Sequence, residues 1–129
     1  MKANILVTCS NNGEMWTRLK SRIAGCTPDG RVEECRTLED MGCRLRRPRQ
    51  DLQVAVVLAA DHGELERVVG FRDLLGDLPL ILILPDREPE TVALGHMMYP
   101  RLLSYADGDL NDVGETLGKM LKAYRRASG

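Results

Sequence analysis

Residues 78–86 read LPLILILPD, and within them Leu80 to Leu84 (LILIL) is apolar at every position. Gln53 to Leu58 (QVAVVL) is apolar at nearly every position as well. A strand with one wet face alternates apolar and polar side chains, whereas a strand covered on both faces does not. These two runs therefore predict the interior of a parallel sheet with helices on either side. Working outward, shorter runs follow the same pattern at Asn4 to Thr8 (NILVT) and Arg101 to Ser104 (RLLS), and more weakly at Arg31 to Cys35.

Segments of helical period separate the runs. Glu14 to Ala24 carries Met15, Leu19 and Ile23 at spacings of four. Thr37 to Arg47 carries Leu38, Met41 and Leu45, with Thr37 and Asp40 placed as a capping box and Pro48 as a stop. Gly63 to Leu75 offers Leu65, Val68, Val69, Phe71 and Leu75 as one helix. Glu88 to Met98 has Pro89 in its first turn. From Asp109 to about Arg126, Leu110, Val113, Leu117, Met120, Leu121 and Tyr124 form an apolar stripe opposite a charged face. Strand then helix, five times over, with right-handed crossovers, predicts an α/β flavodoxin-like fold: a doubly wound five-stranded parallel sheet, (βα)5, with helices on both faces. Residues 1–124 are expected to form the domain, and residues 125–129 the end of the last helix or the start of a linker to a downstream domain.

The 129 residues, 43% of them hydrophobic, are one domain's worth of core. Eighteen Lys and Arg against nineteen Asp and Glu give a formal charge of -1, so the chain as a whole has no bulk attraction for nucleic acid or an anionic membrane. No run approaches the roughly 20 apolar residues of a membrane span. Met1-Lys2 leads into a strand and not a signal sequence, so a cytoplasmic location is expected. Cys9, Cys26, Cys35 and Cys43 include no C-x-x-C, and His62 and His96 lie far from them in sequence. Free thiols are expected, with no metal and no cofactor.

Ligands of doubly wound sheets bind beyond the carboxyl ends of the strands, here Cys9 to Gly13, Ala59 to Gly63, Leu84 to Arg87 and Tyr105 to Gly108. In element order, element lengths, size and the phrase LPLILILPD, the chain resembles the receiver domains of bacterial two-component response regulators. The resemblance implies an acidic pair holding magnesium after the first strand and a phosphorylatable aspartate ending the third. It also implies a hydroxyl residue ending the fourth strand and a lysine followed by proline after the fifth. Phosphoryl transfer to a carboxylate gathers negative charge that a metal and a cation must neutralise. In this sequence the acidic pair falls on Ser10, Asn11 and Asn12, and the aspartate on Leu58, Ala59 or Ala60. The hydroxyl falls on Leu84 or Pro85, and the lysine-proline on Tyr105-Ala106. Asp61 is the only nearby carboxylate, and its position before Gly63 reads as a turn.

The short loop after the third strand and the missing acidic pair look most like the degenerate receiver-like domains of sigma-54-dependent transcription activators of the FleQ type. This implies a non-enzymatic regulatory module that acts through protein partners or a fused effector domain. The alternative is a phosphocysteine carrier of sugar phosphotransferase systems, with Cys9 in a polar turn before a helix. The sequence CSNNGEMW lacks the hydroxyl residue that such loops carry after the glycine. Arg44, Arg46, Arg47 and Arg49 form a local basic run without interleaved aromatics, which reads as a solvated helix end and not a nucleic-acid patch. Trp16 and Met97-Met98 read as core or core-edge residues, and His96 as an exposed helix residue. Receivers commonly pair through the fourth helix, fifth strand and fifth helix. On that face Tyr99, Arg101 and Tyr105 flank the fifth strand, and Asp112, Glu115, Lys119 and Lys122 place both charge signs on the last helix. A weak two-fold homodimer is expected.

Overall fold

The computed structural model describes residues 4–10, 13–26, 31–48 and 51–128. The elements in chain order are β1 (Asn4–Cys9), α1 (Glu14–Cys26), β2 (Arg31–Cys35), α2 (Leu38–Arg46), β3 (Leu52–Leu58), α3 (His62–Gly70), α4 (Arg72–Leu75), β4 (Leu80–Leu84), α5 (Pro89–His96), β5 (Leu102–Tyr105) and α6 (Asn111–Ser128). All strand pairings are parallel, in the order β2-β1-β3-β4-β5. This is the flavodoxin-like order, with the interior strands β1, β3 and β4 covered on both faces.

The period of two sends alternate strand residues into two cores. Ile5, Val7 and Cys9 join Val54, Val56, Leu58, Ile81 and Ile83 under Trp16, Leu19 and Ile23 of α1 and Val113, Leu117 and Leu121 of α6. On the other face Leu6, Ala55, Val57, Leu82 and Leu84 pack beneath Leu38, Met41 and Leu45 of α2 and Leu65 and Val68 of α3. Among the described residues no helix is long and apolar enough to cross a membrane.

Three expectations need correction. The helix expected over Gly63 to Leu75 breaks at Phe71, which leaves helical geometry with φ -92° and ψ 5°. There its ring lies so close over α2 that a Cβ on Gly42 would stand 2.7 Å from Phe71 Cε1. The last helix begins at Asn111 and not Asp109, because Leu110 takes a left-handed φ of 63° and drops its side chain into the core, 1% exposed. Asp109 restarts the chain by accepting hydrogen bonds from Asn111 N and Nδ2, both at 2.9 Å. β5 is displaced by one residue, to Leu102–Tyr105.

The basic run is also not wholly a solvated helix end. Thr37 caps α2 as its spacing predicted, accepting from Asp40 N at 3.0 Å. Arg44, however, is 7% exposed. Its Nε donates to Glu33 of β2 at 3.1 Å, its Nη2 to Asp51 at 3.1 Å and its Nη1 to the Pro48 carbonyl at 3.1 Å. Asn4 Nδ2 donates to the same Asp51 carboxylate at 2.7 Å. One guanidinium thus ties α2 to β2 and to the entrance of β3, and Asn4 ties β1 to it. Arg49 lies outside the described residues.

Because the Glu33 and Asp51 carboxylates reach solvent, removing the cation strands them less severely than in a sealed interior. Arg44→Met is expected to lower stability by about 1–3 kcal/mol through lost charge-assisted hydrogen bonds, read as a lower urea midpoint with unchanged slope. The Asn4 hydrogen bond and then Arg44 hold the Asp51 carboxyl below its ordinary value. A group with a depressed folded value stabilises above its unfolded value and loses that contribution as pH falls through the folded one. The gap between wild type and Arg44→Met should therefore narrow below the usual carboxylate range of about pH 4, and a constant gap would contradict the ion-pair account.

Candidate functional site

β1 and β3 lie side by side, yet α1 packs on one face of the sheet and α3 on the other. Their carboxyl ends therefore open a crevice at the switch point of the topology. Ser10, Ala59, Ala60 and Asp61 stand there, as the sequence placed them; Asn11 and Asn12 lie outside the described residues.

Asp61 is the N-cap of α3. Its backbone is extended and its Oδ1 accepts from Glu64 N at 2.8 Å. Glu64 reaches back, accepting from Ala60 N at 3.2 Å and from the Ser10 hydroxyl at 2.8 Å. The result is a variant of the reciprocal capping box, with the hydroxyl of Ser10, just after β1, as a third member. Both carboxylates of the crevice are held by donors of the chain itself. The sequence reads Asp61 as a simple turn residue, whereas the structure makes it a cap that works with Glu64. The spacing Asp61-His62-Gly63-Glu64 before an apolar run was the available signal.

A receiver would bring magnesium to this crevice, and the described residues do not fit the ion. Magnesium favours carboxylate ligands in near-octahedral geometry. The end of β1 offers Ser10, whose hydroxyl donates to Glu64, while Ala59 and Ala60 offer no side-chain oxygen. Among the described residues, no group of three His, Cys, Asp or Glu side chains is placed to hold a metal ion.

The end of β4 is equally plain: Leu84 is 0% exposed, and the next residue is Pro85. The cation at this edge comes from an unexpected place. Arg87, in the loop before α5, forks onto Asp107 with two bonds of 3.1 Å, and its guanidinium lies 4.0 Å from the centre of the Tyr105 ring. The Asp107 hydrogen bonds hold Arg87 above its ordinary value, and the same bonds hold Asp107 below its own. Arg18 Nη1 donates to the Gly108 carbonyl at 2.9 Å and Arg22 Nε to that of Asp109 at 3.1 Å, fastening this loop to α1. His62 bridges α3 and α5, with Nε2 3.0 Å from Glu66 and Nδ1 3.4 Å from the hydroxyl of buried Thr91.

Cys9 is 0% exposed among the β-branched and aliphatic side chains of the α1 and α6 core. A carrier thiol must meet its donor and acceptor, so this burial corrects the phosphocysteine alternative. Cys35 is also buried, and that burial pushes its thiol up. Cys43 is exposed and outside any disulfide, whereas the side chain of Cys26 lies outside those described. Met98 is buried and Met97 exposed.

The residues of the expected pairing face spread over both ends of β5. Tyr99 and Arg101 are exposed at the entrance of β5, but half-buried Tyr105 sits at its far end beneath Arg87. Asp112 accepts from Ser104 Oγ at 2.9 Å, while Glu115, Lys119 and Lys122 are exposed.

Comparison with known proteins places the fold among solved receiver domains. A receiver domain protein (CheY-like) from Methanospirillum hungatei superposes with a TM-score of 0.74 at 12% identity, covering 98% of this chain and 99% of that one. The response regulator DrrB of Thermotoga maritima, an OmpR/PhoB homologue, gives 0.64 at 18% identity over 99% of this chain and 54% of that one. A structure from Burkholderia thailandensis described as that of a pilus assembly protein (cpaE) gives 0.69 at 15% identity over 93% of this chain and 98% of that one. No family model matches the sequence, and no curated protein matches it. At these identities the likeness is one of fold.

If Asp61 serves as a cap, Asp61→Ala should cost about 1 kcal/mol in chemical denaturation while Asp61→Asn costs a fraction of that. An Asn variant as unstable as the Ala variant would refute the capping role.

Proposed function

We propose that this chain is a non-enzymatic signalling module: a receiver-like domain without a phosphate acceptor, working through protein contacts as the regulatory part of a response regulator or transcription activator. The observation that carries the reading is the end of β3. Where a receiver presents its aspartate, this chain has buried Ala59, and the neighbouring Asp61 and Glu64 are engaged in closing the first turn of α3. The degenerate receiver-like domains of sigma-54-dependent activators are the nearest functional analogy. In DrrB the matched part is about half of a longer response regulator, in keeping with a fused effector domain as partner. The pilus assembly protein widens the class of assemblies that such a module could serve. A cytoplasmic location and a weak two-fold contact through α5, β5 and α6 belong to the same proposal.

Acetyl phosphate, or beryllofluoride, supplied with magnesium should leave intact mass, thermal stability and tryptophan fluorescence unchanged. An acyl phosphate seen by intact mass and lost in Asp61→Asn would overturn the proposal. For the two-fold contact, sedimentation at high micromolar concentration should show a weak dimer that Lys119→Glu dissociates, and a strict monomer would remove this face as an assembly surface.

A further inference from the structure

At the opposite edge of the sheet from the crevice, α4, the turn into β4 and the turn into β5 enclose an open hollow. Arg72, Asp77 and Arg101 supply its charged side chains, and Leu75, Leu80 and Met98 are the buried apolar residues that line it. Arg18, Arg44, Arg67 and Arg87 each have a carboxylate partner. Among the described residues the guanidinium groups of Arg72 and Arg101 have neither an ion pair nor a hydrogen bond.

Tyr99, also lining the hollow, is 87% exposed and has a left-handed φ of 49°. Pro100 follows it and disfavours the right-handed helical alternative. The fold thus holds an aromatic side chain in solvent on a backbone that non-glycine residues rarely adopt. Met97, 46% exposed, stands two residues away. Arg101 and Pro79 also line a second hollow, with Val54, Met120 and Leu121, on the α6 side of the sheet.

We infer that this groove binds an acidic segment of a protein partner, with its carboxylates on Arg72 and Arg101 and an apolar side chain beside Tyr99 and Met98. Two unpaired cations outweigh the single carboxylate of Asp77, which sets the sign of the ligand. The apolar lining suits a peptide carrying apolar residues better than an isolated anion. Asp77 on the rim, with the chain's net charge of -1, disfavours a polyphosphate backbone. The inference extends the protein-contact role proposed above but does not depend on the crevice. Its failure would leave the phosphodonor result standing.

The test is titration of the whole chain with a fluorescein-labelled peptide of alternating glutamate and leucine, against the same peptide with glutamine for glutamate. Anisotropy and 15N chemical shifts are the readouts. The acidic peptide should bind and shift the amides of residues 72–80 and 97–101. Arg72→Gln, which lies off the α5–β5–α6 face, should weaken binding several-fold, and Arg72→Gln with Arg101→Gln by about tenfold or more, as expected for lost charge-assisted contacts. Asp77→Asn should tighten it. Equal binding of the glutamine peptide, shifts centred elsewhere, or an unchanged affinity in the double variant would overturn the inference. So would preferential binding of a single-stranded oligonucleotide, or filling of the groove by a second copy as judged from concentration-dependent shifts of residues 72–80, off the α5–β5–α6 face, without peptide.

Discussion

The two central strands have no polar face. Val54, Val56, Leu58, Ile81 and Ile83 project to one side of the sheet and Ala55, Val57, Leu80, Leu82 and Leu84 to the other, all within 4% of complete burial. Both sides must be covered by helices, and parallel pairing supplies them as the crossovers between strands. Each crossover helix begins near the carboxyl edge of the sheet and runs back. Helix N-termini therefore gather at one edge and C-termini at the other, and the side-chain charges follow the helix dipoles. Glu14, Glu64, Glu90 and Asp112 occupy first turns, whereas Arg44, Arg46 and Arg67 occupy last turns.

That polarity explains why carboxylates near the crevice are poor guides to chemistry. Asp61 and Glu64 lie where exposed N-H groups at the start of α3 call for acceptors, and each accepts one or more of them. The same economy rules the β5 end, where Arg87 and Asp107 satisfy each other above Tyr105. A receiver keeps such groups open for metal and phosphate. Here they hold loops in place.

The arginines divide by the same physics. Arg44 is drawn inward because Glu33 and Asp51 converge on it from β2 and the start of β3, and the Pro48 carbonyl takes a further N-H. Arg72 and Arg101 meet no such acceptors and remain available beside an exposed aromatic ring. The difference lies in what each guanidinium faces and not in local composition, since Arg44 and Arg46 share one helix.

The strand runs, the order of elements, the Thr37 cap and the apolar stripes of α1, α2 and α6 were legible in the sequence. They depend on local period and on short-range hydrogen bonds, which the order of residues alone dictates. That Ser10 follows the first strand and Ala59 and Ala60 the third was legible for the same reason. Only tertiary structure shows the break at Phe71, whose ring packs over Gly42 of another helix, and the left-handed Leu110, whose side chain joins the core. Burial of Arg44 and of Cys9, the hold of Ser10 on Glu64 and the placing of Arg72 beside Arg101 likewise join residues far apart in the chain. Contacts of that kind are set by how the crossovers fold back on the sheet, which no window of sequence contains.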